Sequence, residues 1–542
     1  MTTCTYSARV PRIASPRLVA MAFAIIATIA WTAECVRAQD KSNVEVARPT
    51  LSESQLSEID AWIEKTRQTW QVPGLSVAIV TPDRVLLSKG YGVREAGGDA
   101  AVDADTLFAI ASNTKAFTAA GLAILVDEGK LKWDDRVQNY LPWLRLQDPL
   151  ASNDLRVRDL LCHRSGLGTF SGDLLWWGTP YSPREILQRA VHLKPEFPFR
   201  ANYGYSNLMY LAAGEVIANV SGQPWPEFIA ARILTPLKMQ RTRLSTRDLD
   251  AIQNVAAPHK TFPDRSQPIP WMNWDSMAAA GGIISSANDM SHWIQTQLRD
   301  GQTAEQQRLF SEQNAYEMWQ PHTIIPVSKA RSARIPSTHF RSYGLGWSLA
   351  DYQGRKLVGH SGGYDGMYSE VLMAPEAGIG VVVLTNSMTS IGNAITYQIL
   401  DQALGASPRD WSEENWIQFQ RSRTEFAARI ARATQPAAAN TAPSHPLESY
   451  AGTFRCPLYG EAVIECNDGK LEFRLLPYPA LVADLEHLHY DTFVLRWRDK
   501  FAWFEEGTIH FVADASGRFV RLELNVPNDD LWFHELDLRR VK

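Results

Sequence analysis

Ser112 and Lys115 stand three residues apart in Ser112-Asn113-Thr114-Lys115. They open a segment in which Phe117, Leu122, Leu125 and Val126 recur with helical spacing up to a stop at Gly129. Residues at i and i+3 share one side of a helical turn. A neutral lysine amine placed there can take the serine hydroxyl proton, and the positive end of the helix favours the charge that then develops. Tyr205-Ser206-Asn207 is a second candidate. A tyrosine beside a cation can serve as general base or acid, and Asn207 can donate to a substrate carbonyl while bonding Lys115. The third is Gly359-His360-Ser361-Gly362-Gly363. As G-x-S-x-G it fits a nucleophile elbow with Ser361 as nucleophile, which demands a strand, a sharp turn and then a helix. Here Tyr364-Asp365-Gly366 leads instead into the strand-like Met367–Met373. The other reading is an edge strand lining a cleft, with His360 facing the site and the Gly363 N–H as half of an oxyanion hole. Each motif alone carries little weight; Ser-x-x-Lys recurs by chance in most chains of this length.

Elements at both chain ends must position these groups. Residues 50–70 read as an amphipathic helix, with Leu56, Ile59, Trp62 and Ile63 on one side. Leu75–Val80 and Arg84–Gly90 read as strands around a turn at Thr81-Pro82-Asp83. Much of 155–335 reads as helices and long loops. Strand patterns return at Leu345–Leu349, Lys356–Val358, Met367–Met373 and Gly378–Leu384. Strands at both ends with helices between them predict one sheet with an inserted helical lobe. Residues 406–446 read as a helical segment running into a linker rich in Pro and Ala. Beyond it, short strands at Tyr450–Cys456, Ala462–Cys466, Lys470–Arg474, Thr492–Trp497, Thr508–Ala513 and Phe519–Leu524 predict a small antiparallel barrel or sandwich.

The 542 residues carry a formal charge of −5, with 45% hydrophobic and 21% charged residues. That is ordinary globular composition for two to four domains, and it excludes a disordered chain, a collagen-like repeat and a coiled coil. An acidic chain without a lysine run is a poor partner for nucleic acid. Arg9, Arg12 and Arg17 precede an apolar run from Leu18 to Trp31, and Val36-Arg37-Ala38 follows. This is the pattern of a secretory signal peptide over residues 1–38, so the expected location is secreted or periplasmic, with no membrane span in the mature form. Cys162, Cys456 and Cys466 lie beyond that leader, and the last two flank a hairpin turn where a bridge is one option. No metal-binding spacing is present, and no cofactor or metal is expected.

Taken together, the three motifs resemble the serine β-lactamase and penicillin-binding protein superfamily, above all its class C β-lactamase-like branch. The order Ser-x-x-Lys, Tyr-x-Asn, His-x-Gly matches. So do Leu160-Leu161-Cys162-His163-Arg164-Ser165-Gly166-Leu167, Gly129-Lys130-Leu131, Tyr140-Leu141-Pro142, Ala280-Gly281-Gly282 and Tyr343-Gly344-Leu345-Gly346-Trp347. The resemblance covers residues 50–405, and residues 447–542 resemble the lipocalin-like extension of some of these hydrolases. It implies an α/β (α+β) β-lactamase/transpeptidase-like fold, an antiparallel sheet flanked by helices with an inserted helical lobe, plus a small all-β C-terminal domain. It also implies an acyl-enzyme on Ser112, proton transfer by Lys115 and Tyr205, and orientation of substrate by Asn207, His360 and Gly362. The oxyanion donors it implies are the N–H groups of Ser112 and Gly363. His360 departs from the usual lysine, which weakens recognition of a substrate carboxylate. The expected activity is cleavage of an ester or amide, with D-amino-acid peptides and β-lactams as candidate small-molecule or peptide substrates. The alternative is a catalytically silent penicillin-binding-like sensor. His163 reads as a structural, hydrogen-bonded residue. Trp176 and Trp177 read equally as cleft rim or packed loop.

Overall fold

The computed structural model describes residues 51–541 apart from 263 and 264; the leader-like segment 1–38 lies outside the described residues. The chain enters through helix α1 (Glu53–Thr69), whose Ser52 and Gln55 form a capping box. It then runs through strands β1 (Gly74–Val80) and β2 (Val85–Gly92). Six further strands of the same sheet lie after residue 320: β3 (Thr323–Ile324), β4 (Arg341–Tyr343), β5 (Ser348–Tyr352), β6 (Arg355–Tyr364), β7 (Met367–Ala374) and β8 (Ile379–Thr385). Their order is β2-β1-β8-β7-β6-β5-β4-β3. Every neighbour is antiparallel, and β1 meets β8 with Leu75 opposite Thr385. The sheet is thus built from both ends, as the strand patterns predict.

Strands β1 and β8, second and third in that order, are buried throughout their length. Side chains alternate across a strand with period two. Leu75, Val77 and Ile79 accordingly pack with Ile59 and Ile63 of α1 and with Ile395 and Ile399, while Ala78 and Val80 join the opposite core. That opposite core contains the helical lobe. Its central helix α2 (Thr114–Asp127) is buried from Thr114 to Leu125 and packs against α3 (Asn207–Ser221). Gly121 permits the contact, because a Cβ there would already press on Ile217 and Ile229.

Residues Gly452–Arg540 close into an eight-stranded antiparallel barrel. The sequence patterns anticipate six of its strands; the structure adds Val482–His489, which carries His487, and Leu538–Arg540. The bridge that the sequence left open between Cys456 and Cys466 is not formed: all three described cysteines are free. Cys456 pairs with Gly460 in the hairpin, which leaves Cys466 six residues further along the same strand. At 3.3 Å or so per residue that offset is roughly 20 Å, far beyond disulfide reach.

The barrel docks directly onto the lobe. Glu535 accepts from the Ser171 hydroxyl at 2.5 Å and the Gly172 N–H at 3.0 Å, and Tyr459 also bonds it. Lys260 Nζ donates to the Phe501 carbonyl at 2.7 Å, and Trp177 stacks edge-on against Phe501 and Phe504. No helix among the described residues is long and apolar enough to cross a membrane.

Candidate active site

Ser112 lies in a 3-10 turn, Ala111–Asn113, immediately before α2. The turn is held in an unusual conformation: Ala111 has φ +45°, a left-handed value that costs a non-glycine residue free energy. Asn113 Nδ2 pins it from the sheet side by donating to Ser369 Oγ at 2.8 Å, and Ser369 Oγ donates to the Ile110 carbonyl at 2.6 Å. The next turn of helix places Lys115 behind the serine, fully buried.

Lys115 Nζ is 3.0 Å from Ser112 Oγ, 2.7 Å from Asn207 Oδ1 and 2.9 Å from the Ala280 carbonyl. Asn207 is oriented by its own Nδ2, which donates to Asp173 Oδ2 at 2.7 Å. Two of the three lysine partners are carbonyl oxygens and can only accept. A neutral amine therefore spends both N–H bonds on them and turns its lone pair to the Ser112 hydroxyl. Burial favours that form, pulling the Lys115 pKa down to about 7, partly opposed by Asp173. Burial in turn pushes Asp173 up to about 8, so the same desolvation disfavours the charged form of both groups.

Tyr205 is anchored through its main chain: its N–H donates to Thr169 Oγ1 at 3.1 Å and its carbonyl accepts from the Phe170 N–H at 2.8 Å. Its ring lies over Lys115 Nζ, 4.8 Å from the centroid, and stacks on His163 at 4.1 Å. Burial raises the phenol well above its ordinary range, opposed by the contact with the Ser112 hydroxyl. His163 is buried and neutral, and its Nδ1 accepts from the Ser206 N–H at 3.0 Å. It sits among the rings of Tyr205, Tyr210 and Tyr343 and positions the tyrosine loop.

The Gly359–Gly363 segment runs straight through β6, so Ser361 sits in mid-strand and no elbow exists. β6 pairs with β5 only from Arg355 to Gly359; from His360 onward it has β7 alone and its other side is open. Gly362 faces the Ser112 turn rather than the cavity. A Cβ there would strike the Ile110 carbonyl and come within 2.8 Å of the Ser112 nitrogen, which is why no side chain fits. Gly363 lines the cleft, and its outer face meets Trp503 of the barrel. His360 bonds the Tyr343 hydroxyl at 2.7 Å and the Ser361 carbonyl at 2.5 Å. Burial and the nearby Lys115 pull it down to about 3, so it is a neutral imidazole at physiological pH.

Ser112, Tyr205, Asn207, His360 and Gly363 border one cavity of 540 Å³. Trp176 and Trp177 line it and are buried as well, so both readings of that pair hold. Asp365 fastens the wall by accepting from Trp177 Nε1 at 3.2 Å and Trp274 Nε1 at 3.0 Å. Among the described residues no cluster of His, Cys, Asp or Glu could hold a metal ion. Asp173, with Trp503, Asp530 and Leu531 from the barrel region, lines the same cavity without a local motif to signal it. Their neighbours in sequence bear no chemistry, and only folding brings them to the serine.

The beta-lactamase family model matches residues 59–404. The chain belongs to that family. A second model, a domain of unknown function (DUF3471), matches 436–540. The unguisins hydrolase ungD' of Aspergillus campestris (strain IBT 28561) is 30% identical over 425 residues, 74% of this chain and 76% of that protein. Among solved structures, D-amino acid amidase from Ochrobactrum anthropi SV3, complexed with L-phenylalanine amide, is 25% identical. It covers 64% of this chain and 98% of its own, with a TM-score of 0.52. The octameric penicillin-binding protein homologue from Pyrococcus abyssi shares the fold at 22% identity and a TM-score of 0.57, covering 87% of this chain and 98% of its own. The chain is thus a hydrolase of the β-lactamase-related family, with the fold that its motifs imply.

Proposed function

We propose that the protein is an exported hydrolase that cleaves amides or esters of amine-bearing, amino-acid-like acids through an acyl-enzyme on Ser112. The observation that carries this reading is the buried Lys115 amine, 3.0 Å from the Ser112 hydroxyl and otherwise bonded only to the Asn207 and Ala280 carbonyl oxygens. Ser112 Oγ adds to the substrate carbonyl while its proton passes to Lys115 Nζ. The N–H groups of Ser112 and Gly363 hold the oxyanion; one such donor is worth about 3 kcal/mol. The Tyr205 phenol, still protonated, gives its proton to the departing amine or alcohol and is replenished by Lys115. Water then attacks the ester carbonyl, the same groups taking its proton, and Ser112 is released.

Asp530 supports the choice of substrate. It lines the Trp-walled cleft, and no basic side chain among the described residues pairs with it; the adjacent Asp529 takes Arg429. Burial, then Asp529 and Asp365, push it up to about 7. A substrate ammonium beside it supplies the missing counter-charge. The names of the relatives, an amidase and a hydrolase, agree with an amide as the scissile bond. Export rests on the leader-like residues 1–38.

Intact mass after exposure to a fluorophosphonate and, separately, to a penicillin tests the reading. One covalent adduct with the fluorophosphonate is the expected result, and a lasting penicillin adduct would add penicillin recognition. No adduct with either reagent would favour the silent sensor. Asp530→Asn is expected to raise KM for an amino-acid amide about tenfold and to leave its N-acetylated analogue unchanged. Equal effects on both substrates would remove the ammonium role.

A further inference from the structure

Segment 169–174 runs between the catalytic groups and the barrel, and its residues face alternate sides. Thr169 Oγ1 and the Phe170 N–H hold the main chain of Tyr205 at 3.1 and 2.8 Å, and Asp173 orients Asn207 at 2.7 Å. Ser171, Gly172 and Leu174 are bonded to the barrel instead. Glu535 Oε1 accepts from the Ser171 hydroxyl at 2.5 Å, and Glu535 Oε2 accepts from the Gly172 N–H at 3.0 Å. The Tyr478 hydroxyl donates to the Leu174 carbonyl. Glu535 lies in the turn Phe533–Glu535, between the last two barrel strands, Phe519–Asn525 and Leu538–Arg540. The Tyr459 hydroxyl, from the first barrel hairpin, donates to Glu535 Oε2 and fixes the side chain in place.

The segment needs restraint from outside. Phe170 has φ +65°, a left-handed value that costs a non-glycine residue free energy, and Gly172 follows at +82°. Its internal bonds run from the Ser171 N–H to the Gly168 carbonyl at 3.2 Å and from the Asp173 N–H to the Phe170 carbonyl at 3.1 Å. They close turns but fix nothing relative to Ser112. Ser171 is buried, so a hydroxyl deprived of Glu535 must find another acceptor or stay unpaired at a cost, and both favour a shift of the segment. Thr169, Phe170 and Asp173 would shift with it. We infer that Glu535 is a positioning residue for the reaction: the barrel holds the segment that holds Tyr205 and Asn207. The inference rests on the reading of Ser112, Lys115 and Tyr205 as the reacting groups. Glu535 does not border the cleft, so it acts through this segment alone. From Asp173 the chain of contacts runs through Asn207 to Lys115 Nζ. The barrel thereby serves the alignment of the proton-transfer groups as well as the cleft wall.

The rate of covalent labelling by a fluorophosphonate, followed by intact mass, tests this, because it reads the activation of Ser112 whatever the substrate. Glu535→Ala is expected to lower the rate constant at least about tenfold, since a 1 Å misplacement of a catalytic group costs on the order of a hundredfold. Glu535→Gln should stay within about threefold of the unsubstituted protein, because its Oε1 can accept from Gly172 and Tyr459 while its Nε2 donates to the Ser171 oxygen. Ser171→Ala should lower the rate about threefold and add nothing to Glu535→Ala, as two ends of one contact do. Arg429→Ala, which cuts the exposed Arg429–Asp529 pair between the helix Trp411–Ala433 and the barrel, should leave the rate unchanged. Melting temperatures on the same preparations separate displacement from unfolding. A Glu535→Ala rate within about twofold of the unsubstituted protein, a loss in Glu535→Gln as large as in the alanine protein, or an equal loss in Arg429→Ala would overturn the inference. Where the Glu535→Ala protein does not fold, Ser171→Ala decides, and an unchanged rate there overturns it. Absence of labelling in the unsubstituted protein sinks the catalytic reading and this role with it. Labelling that Glu535→Ala leaves untouched sinks this role alone.

Discussion

A Ser112→Ala protein is expected to fold normally and to lose turnover by about 10⁴-fold or more, the scale seen when a nucleophile is removed from a cooperating catalytic unit. The substitution keeps Cβ and removes one oxygen. Lys115 loses one of three partners and retains the Asn207 and Ala280 carbonyls, so the helix start has little reason to shift. The turn itself is held by the bonds from Asn113 to Ser369 and from Ser369 to the Ile110 carbonyl, neither of which involves the missing hydroxyl. Melting temperature and steady-state rates, measured on the same preparation, check the two halves of the expectation. Loss of the fluorophosphonate adduct should accompany loss of rate. Full activity in the alanine protein would refute the assignment of the nucleophile and reopen Ser361, although that residue sits in mid-strand with no helix behind it.

Lys115→Met is expected to lower kcat/KM by about 10³-fold, within the range for a positioned general base, and to abolish a pH dependence that the unsubstituted enzyme should show. The sign follows from the role. Only the neutral amine can take the Ser112 proton, and Lys115 is held at about 7 by burial. Activity should therefore be low at pH 5, rise through pH 7 and level off above it. His360, pulled down to about 3, and Tyr205, pushed well above 10, add no inflection between pH 5 and 9. Asp530 also titrates near 7, so the profile is best recorded with an N-acetylated substrate, which removes the ammonium it would bind. In the methionine protein the rise centred near pH 7 should be gone. A wild-type rate that falls between pH 6 and 8, or a methionine variant within tenfold of wild type, would shift the role of base to Tyr205.

Much of this site can be read along the chain. The Ser112–Lys115 pair depends on helical periodicity, which sets i and i+3 side by side whatever surrounds them. The same holds for the alternation that buries Leu75, Val77 and Ile79 on one face of β1, and for the turn chemistry of the Cys456–Gly460 hairpin. Local spacing is enough because each of these features involves atoms within a few residues of one another. The ordered motifs were enough to imply the family, and the strand patterns at both chain ends were enough to imply the two-ended sheet.

Tertiary structure decided the charges and the walls. Nothing in Ser112-Asn113-Thr114-Lys115 says that the amine is neutral; that follows from complete burial against Asn207 and Ala280, 92 and 165 residues away. Asp173 became the group orienting Asn207, 34 residues away, and His360 became a neutral imidazole tied to Tyr343, 17 residues away. The barrel, legible in sequence only as a run of short strands, supplies Trp503 and Asp530 to the cleft. The helix Lys329–Arg334 meets Arg341 and Glu370 at a second cavity because β4 and β7 share a sheet. Desolvation and electrostatics act through space between residues far apart in the chain, so they come into being only when the fold brings those residues together.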